Sequence, residues 1–236
     1  MMNKNLILSL VVALCSLWCY ADNQQFGSRK EALNALQLAR NTLGNPLSDR
    51  HNELRYVELL KTIAECPLLT ENDKLLPQLL LEEAQKNQVG SVAADIEYIT
   101  PDDSVHHLSD SQAPAVLIYF NDPDCDACLK VKHRLDTCTM LRQMVAEKQL
   151  QIVGIYTIDN EELWRNTPFP SYIINGWNKN QEIANSETYV LPTLPLLYLL
   201  DADKKVLIKG EASLNKVLDY LQTESTKQVA SPGDTR

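Results

Sequence analysis

The sequence predicts an α/β protein in which a central mixed sheet is flanked by helices and preceded by an N-terminal helical region. Two observations carry this prediction. Apolar residues of the N-terminal part recur at helical spacing. From about Ala94, short apolar runs of strand length alternate with helical patterns, which is typical of α/β architectures. The 236 residues are enough for one large domain or two small ones.

Residues 1–21 have the features of a secretory signal peptide. Lys4 precedes an uncharged apolar run from Leu6 to Trp18, and Cys19–Ala21 places small residues at a cleavage site. The apolar run is shorter than the roughly 20 residues of a transmembrane helix. We therefore expect cleavage, export to the periplasm and no stable membrane insertion. If the segment is not cleaved, it anchors the protein in the membrane.

Composition narrows the classes of function. The formal net charge is −9, which argues against nonspecific nucleic-acid binding because that binding needs a basic surface. Four cysteines remain after the signal peptide, too few in this length for a disulfide-stapled scaffold. They are Cys66, Cys125, Cys128 and Cys138.

Residues 22–93 form the predicted helical region, with three helices. Thr70 and Asp73 have the spacing of a capping box at the start of the third helix. The first helix covers Ala32–Leu43 and stops at Gly44, the second is capped by Ser48 and ends at Pro67, and the third has Gly90 as its C-terminal cap.

Residues 94–223 form the predicted α/β domain. A hairpin joins Ile96–Ile99 to Val105–Leu108, Asn175-Gly176 marks a turn, and Ser213 caps a last helix. Residues 224–236 are polar and are predicted to be a disordered tail. The remaining strands are predicted at Ala115–Phe120, Gln151–Tyr156, Leu196–Leu200 and Val206–Lys209.

Cys125 and Cys128 form a Cys-x-x-Cys motif where a central strand turns into a helix. The free N–H groups and the dipole of a helix N-terminus stabilise a thiolate there. The first cysteine can then attack a disulfide, and the second, one turn later, can attack the mixed disulfide. The motif therefore predicts thiol–disulfide exchange at Cys125 and Cys128.

Pro195 stands directly before the strand Leu196–Leu200, which ends in a turn led by Asp201. With the Cys-x-x-Cys motif, residues Ala115–Gly210 resemble the thioredoxin fold of exported TlpA-like and ResA-like thiol–disulfide oxidoreductases. This resemblance implies that Pro195 is the cis-proline of the substrate loop and lies against the two cysteines. Pro192, in a Pro-Thr pair, is the alternative.

The chain also resembles a narrower group, the exported Bacteroidetes proteins that carry a DUF5106 region. The resemblance rests on the helical N-terminal part together with Asn121–Cys125 and Tyr198–Asp201, and it spans Asn45–Leu221. It implies a location and a fold, but it brings no known substrate.

The chain departs from its active relatives around the first cysteine. Many of them place Trp before that cysteine, where this chain has Asp124, and Tyr119 stands where thioredoxin has a buried acid that accepts a proton. Asp122, Asp124 and Asp126 surround Cys125, and like charge disfavours a thiolate. The sequence therefore favours a reducing or isomerising role over an oxidising one.

The leading hypothesis is an oxidoreductase with Cys125 as nucleophile and Cys128 as resolving thiol. It needs no cofactor beyond the redox-active disulfide, and its partners are protein thiols or disulfides and an upstream electron donor. One alternative is a non-catalytic binding module in which the motif is a structural disulfide. A third hypothesis is a metal-binding module in which Cys125 and Cys128 bind the metal together with a ligand from outside the motif. However, no spacing of His with these cysteines matches a structural zinc site. Cys138 is interpreted as a structural thiol, with a third redox cysteine as the alternative.

Overall fold

The computed structural model describes residues 26–230, apart from the side chains of Asn180, Ala184 and residues 227–230. The predicted signal peptide, residues 1–21, lies outside this range. Within it, no helix combines the length and the apolar character that crossing a bilayer takes.

The chain divides into two compact units. The first comprises the described residues up to Gly44 together with Asn52–Leu81, and the second comprises Asn45–His51 and the chain from Glu82 onward. The division falls at Leu81 and not at 93, where the sequence suggests it. Part of the stretch between these two positions pairs with the sheet, since the N–H of Gly90 donates to the Val206 carbonyl at 2.8 Å.

The first unit is helical, as the sequence predicts. Its helices are α1 (Arg29–Asn41), α2 (Glu53–Ala64) and α3 (Glu71–Gln85), the last of which runs on past Leu81. The predicted capping box is present, because the N–H of Thr70 donates to Asp73 at 3.0 Å and the N–H of Asp73 donates to Thr70 at 3.3 Å.

Two predicted helix ends are wrong. Asn52 caps α2 in place of Ser48, because the Ser48 hydroxyl accepts the N–H of Arg50 in a local turn. Helix α3 ends at Gln85, before Gly90, because Asn87 takes a left-handed conformation with φ 49° and its side chain accepts the N–H of Ala94.

The second unit is built on one mixed seven-stranded sheet with helices on its faces, which confirms the predicted fold class. The strand order is β2-β1-β5-β4-β3-β6-β7, with β3/β4 and β4/β5 parallel and the other pairs antiparallel. The strands are β1 (Glu97–Ile99), β2 (Val105–His107), β3 (Ala115–Asn121), β4 (Leu150–Tyr156), β5 (Ile174–Trp177), β6 (Leu196–Asp201) and β7 (Val206–Glu211). The helices are α4 (Asp126–Thr137), α5 (Thr139–Ala146), α6 (Glu161–Asn166), α7 (Glu182–Asn185) and α8 (Leu214–Ala230).

Strand β3 lies inside the sheet and is covered on both faces, which explains its continuous apolar sequence. Leu117 and Tyr119 pack in the cluster that includes Cys128 of α4. Ile118 and Phe120 pack in the cluster on the opposite face. The alternation sets which side chains of β3 lie beneath the cysteine-bearing helix.

Two further predictions fail in this unit. Asn175-Gly176 is not a turn but lies inside β5, where a Cβ on Gly176 would sit 2.9 Å from Cδ1 of Ile155. Residues 224–230 are not an irregular tail but continue α8, which runs without interruption from Leu214 to Ala230. The rest of the predicted tail, 231–236, lies outside the described residues.

Candidate functional site

Cys125 lies at the junction of β3 and α4, where the sequence places it. It is the N-cap of α4, and its Sγ accepts the N–H of Cys128 at 3.2 Å. The loop that leads to it is held by the Asp122 carboxylate, which accepts the N–H of Asp124 at 2.9 Å. Cys125 is half-buried, so its sulfur sits at a helix N-terminus with one side open to a reactant.

Cys128 lies one turn into α4 and is only 2 % exposed. Burial raises the pKa of its thiol to about 12, with a further upward contribution from the hydrogen bond with Cys125. Both cysteines are free thiols in the structure. The pair thus combines an accessible sulfur with a buried one, the asymmetry that a nucleophile and a resolving thiol require.

Pro195 completes the group of predicted site residues. The Leu194–Pro195 peptide bond is cis, and the carbonyl oxygen of Leu194 accepts from the Cys125 thiol across 3.6 Å. The bond before Pro192, the alternative, is trans. The fold therefore brings the Pro195 loop against Cys125 across a wide separation in sequence.

Tyr119 lies under the motif on β3 and is fully buried. Its hydroxyl donates to the carbonyl oxygen of Cys128 at 2.6 Å. Burial raises the pKa of Tyr119 well above its usual value, and the nearby Cys128 and Cys125 add to this. The position where thioredoxin has an acid thus holds a neutral phenol that anchors the first turn of α4.

Phe169 is a site neighbour that sequence reasoning missed. Its ring packs edge-on against Tyr119 at a centroid distance of 5.9 Å, and Lys132 lies over the same ring at 4.8 Å. Phe169 borders an open recess of about 480 Å³ beside α4 that Leu129, Lys132, His133, Asp136, Pro168 and Pro170 also line. The sequence signal in this segment is its cluster of Pro and aromatic residues. That cluster does not show which residues Phe169 contacts.

The other two described cysteines are not part of the Cys-x-x-Cys motif. Cys66 is buried just after α2, in the first unit. Cys138 is half-buried between α4 and α5 and packs in the cluster beneath the motif. In the part of the chain that the structure describes, no group of three His, Cys, Asp or Glu residues could hold a metal ion.

Several solved structures are similar to this chain. A thioredoxin-like protein from Bacteroides caccae is 32% identical with a TM-score of 0.76, and the match covers 80% of this chain and 68% of that one. The C-terminal domain of an uncharacterized protein from Bacteroides fragilis is 31% identical with a TM-score of 0.56, over 58% of this chain and 99% of that domain. A conserved protein of unknown function from the same species is 32% identical with a TM-score of 0.54, over 57% of this chain and 98% of its own.

No protein-family model matches the sequence, and no curated protein matches it. The DUF5106 resemblance therefore stays a prediction. The likeness to the Bacteroides caccae protein covers both the fold and most of the chain. The chain belongs to the thioredoxin-like proteins.

Proposed function

We propose that this protein carries out thiol–disulfide exchange on protein substrates, with Cys125 as the nucleophile and Cys128 as the resolving thiol. The observation that carries the proposal is the placement of the Cys125 sulfur. It lies at the N-terminus of α4, 3.2 Å from the N–H of Cys128 and 3.6 Å from the carbonyl of Leu194. A substrate strand beside the Pro195 loop would therefore lie next to the attacking sulfur.

The reaction runs in two displacements. The Cys125 thiolate attacks a substrate disulfide, a mixed disulfide forms, and the leaving sulfur takes up a proton. The Cys128 thiolate then attacks the Cys125 sulfur and releases the second substrate thiol. The substrate gains two electrons and the protein is left with a Cys125–Cys128 disulfide, which a dithiol electron donor reduces again. No other cofactor takes part.

The direction we propose is reduction or isomerisation. Three aspartates lie close to Cys125 in the sequence, and their charge disfavours the thiolate in which an oxidant ends its reaction. Burial of Cys128 supports the same direction, because a resolving thiol that is slow to ionise prolongs the mixed disulfide in which isomerisation occurs.

We also propose that the protein works in the periplasm. The support is the charge and hydropathy pattern of residues 1–21, which is typical of a cleaved secretory leader. In that compartment the substrates would be exported proteins with disulfides. Without cleavage the same chain would act from the membrane surface.

The reduction potential of the Cys125–Cys128 pair tests the function. Thiol trapping in dithiothreitol or glutathione buffers should give a reversible couple between about −120 and −270 mV, the range of known exchange proteins. Cys125→Ser should abolish disulfide reductase activity. A pair that stays oxidised below about −300 mV would instead be a structural disulfide, and the non-catalytic binding module would then be the better description.

A further inference from the structure

The recess of about 480 Å³ beside α4 begins one helical turn from the nucleophile. Its volume lies in the range of protein ligand pockets, about 300–1,000 Å³. Besides the segment 168–170, it is lined by four residues of α4, Leu129, Lys132, His133 and Asp136. These follow Cys125 by 4, 7, 8 and 11 positions, which is the spacing of one helix face. The nucleophile therefore heads the face of α4 that lines the recess.

Apolar side chains dominate the part of the recess that is nearest to the nucleophile. Leu129 is 47 % exposed, and its N–H donates to the Cys125 carbonyl at 2.9 Å. Pro168 is exposed, and Phe169 is half-buried. An apolar side chain that entered the recess would cover Leu129 and Phe169, and removal of apolar surface from water is favourable.

Lys132 gives this apolar surface one cationic group. Its ammonium lies over the Phe169 ring at 4.8 Å and donates to the Thr167 carbonyl at 3.3 Å. Within residues 26–230 it forms no ion pair, and Asp136, one turn later on the same face, stays beyond ion-pair distance. An ammonium has three N–H donors, so it can also donate a charge-assisted hydrogen bond to a carboxylate that enters the recess.

The helix geometry sets the distance between the two ends of this surface. Lys132 lies seven residues after Cys125, a rise of about 10 Å along the helix axis. An extended peptide advances about 3.3 Å per residue. A substrate cysteine that is bonded to Cys125 therefore brings its third or fourth neighbour to the level of Lys132.

We propose that the recess is a substrate subsite, and that it binds an apolar side chain next to an acidic one, about three residues from the reactive cysteine. The apolar side chain packs against Leu129 and Phe169, and the carboxylate accepts a hydrogen bond from the Lys132 ammonium. The inference rests on the proposed function, since it names the class of substrate segment that the same site selects. The net charge of −9 repels an acidic segment at long range, so the preference arises only where the pair reaches Lys132.

The test uses three peptides of equal length whose central cysteine is held in a disulfide with a neutral thiol. The near peptide carries a Leu-Glu pair about three residues from the cysteine on each side, because the helix does not fix the direction of the bound chain. The far peptide has the same composition and charge, with both pairs moved to its ends beyond glycine spacers. In the neutral peptide, Gln replaces Glu of the near peptide.

The rate constant for attack by the reduced protein is divided by that for free dithiothreitol, which removes the intrinsic reactivity of each peptide disulfide. The near peptide should react about tenfold faster than the far peptide, because it places an apolar side chain and a carboxylate in the recess. The neutral peptide should lie between them, because it keeps only the apolar contact.

Variants assign the preference to the recess. Lys132→Gln should bring the near-to-neutral ratio close to one, whereas Lys130→Gln, an equal charge change at an exposed position of the same helix, should leave this ratio unchanged. Leu129→Ala should lower the neutral-to-far ratio several-fold. Val105→Ala, which truncates another exposed apolar side chain on β2, is its matched control and should not lower it.

The possible outcomes are distinct. If the near and far peptides react equally, or if the preference for the near over the neutral peptide survives Lys132→Gln, the subsite is wrong and the exchange function stands. The subsite is also wrong if Lys130→Gln lowers the near-to-neutral ratio as much as Lys132→Gln does. If none of the three peptides reacts with Cys125, the proposed function itself fails, and the subsite with it.

Discussion

Tyr119 connects the central strand to the cysteine motif through a single hydrogen bond to the Cys128 carbonyl. A phenol in this place differs chemically from an acid, because it stays protonated at neutral pH and does not accept the Cys128 proton. Its contribution is to position α4.

Replacing Tyr119 by Phe tests this positioning role. The lost hydrogen bond should lower the free energy of unfolding by about 1 kcal/mol, measured by urea denaturation. The reduction potential of the Cys pair should shift as well, because the first turn of α4 loses its anchor. Tyr172→Phe is the matched control, since Tyr172 donates to the Leu135 carbonyl further along α4 and should cost stability without moving the potential. Equal reduction potentials of the Cys pair in the Tyr119 and Tyr172 variants would contradict the positioning role of Tyr119.

The buried thiol of Cys128 predicts a pH dependence of the resolving step. Its pKa is raised to about 12, mainly by burial, so only a small fraction is thiolate at neutral pH. The fraction, and with it the rate, should increase about tenfold per pH unit between about pH 7 and 9.

That rate is measurable as the second release of thionitrobenzoate after Cys125 reacts with Ellman's reagent. Cys66→Ala and Cys138→Ala remove the competing thiols, and Cys128→Ser should abolish the second release. A rate that is flat over this pH range would show that another group takes the Cys128 proton.

Residue identities at the motif were predictable from sequence, whereas their supporting contacts were not. Cys125 and Cys128 are close in the chain. Pro195 was implied by the resemblance to the thioredoxin fold, and its place directly before a strand favoured it over Pro192. The contacts of Tyr119 with Phe169 and of Cys125 with Leu194 join residues far apart in sequence. Periodicity and spacing carry no information about such pairs, because the fold alone brings them together.

At the scale of elements, strong apolar runs identified β3, β4 and β6, but β5 was missed. Its sequence, Ile174–Trp177, contains the Asn-Gly pair that is typical of hairpin turns. The structure uses Gly176 for a different reason, the close approach of Ile155 and Tyr98 to its backbone. Local propensity was overridden by packing between neighbouring strands.

Gly176→Ala should therefore destabilise the sheet by about 1–3 kcal/mol, because the new methyl group would overlap Cδ1 of Ile155. Urea denaturation followed by tryptophan fluorescence measures the change. Ile155→Val removes the overlapping atom, so the double variant should lose less stability than the sum of the two single variants. Simple additivity would mean that the two side chains do not compete for this space.

At the scale of the whole molecule, the net charge of −9 acts on charged reactants at longer range than the three aspartates near Cys125 do. We expect reduced protein to react faster with cystamine, a dication, than with dithiodiglycolate, a dianion, after each rate is normalised to free dithiothreitol. The ratio should fall as ionic strength increases from about 0.01 to 1 M, because the Debye length shrinks from about 30 to 3 Å. A ratio independent of salt would exclude long-range steering.

The division into two units was only partly predictable. The sequence distinguishes a helical region from a region of strands, because the apolar period changes near Ala94. It does not show that Val92 forms a bridge with Lys205 and so belongs with the sheet, since a single pairing leaves no periodic pattern. The boundary therefore needed the structure.

The indole rings of Trp164 and Trp177 stack at a centroid distance of 5.2 Å, in the same cluster as Tyr156. The ring N–H of Trp164 donates a hydrogen bond to the Asn175 side chain, and the ring N–H of Trp177 donates one to the Ile158 carbonyl. Two fixed chromophores this close couple their electronic transitions, so we expect an exciton signal in the circular dichroism spectrum of the protein. A change in the packing of this cluster would disturb that signal, which makes the change observable by optical spectroscopy without a label.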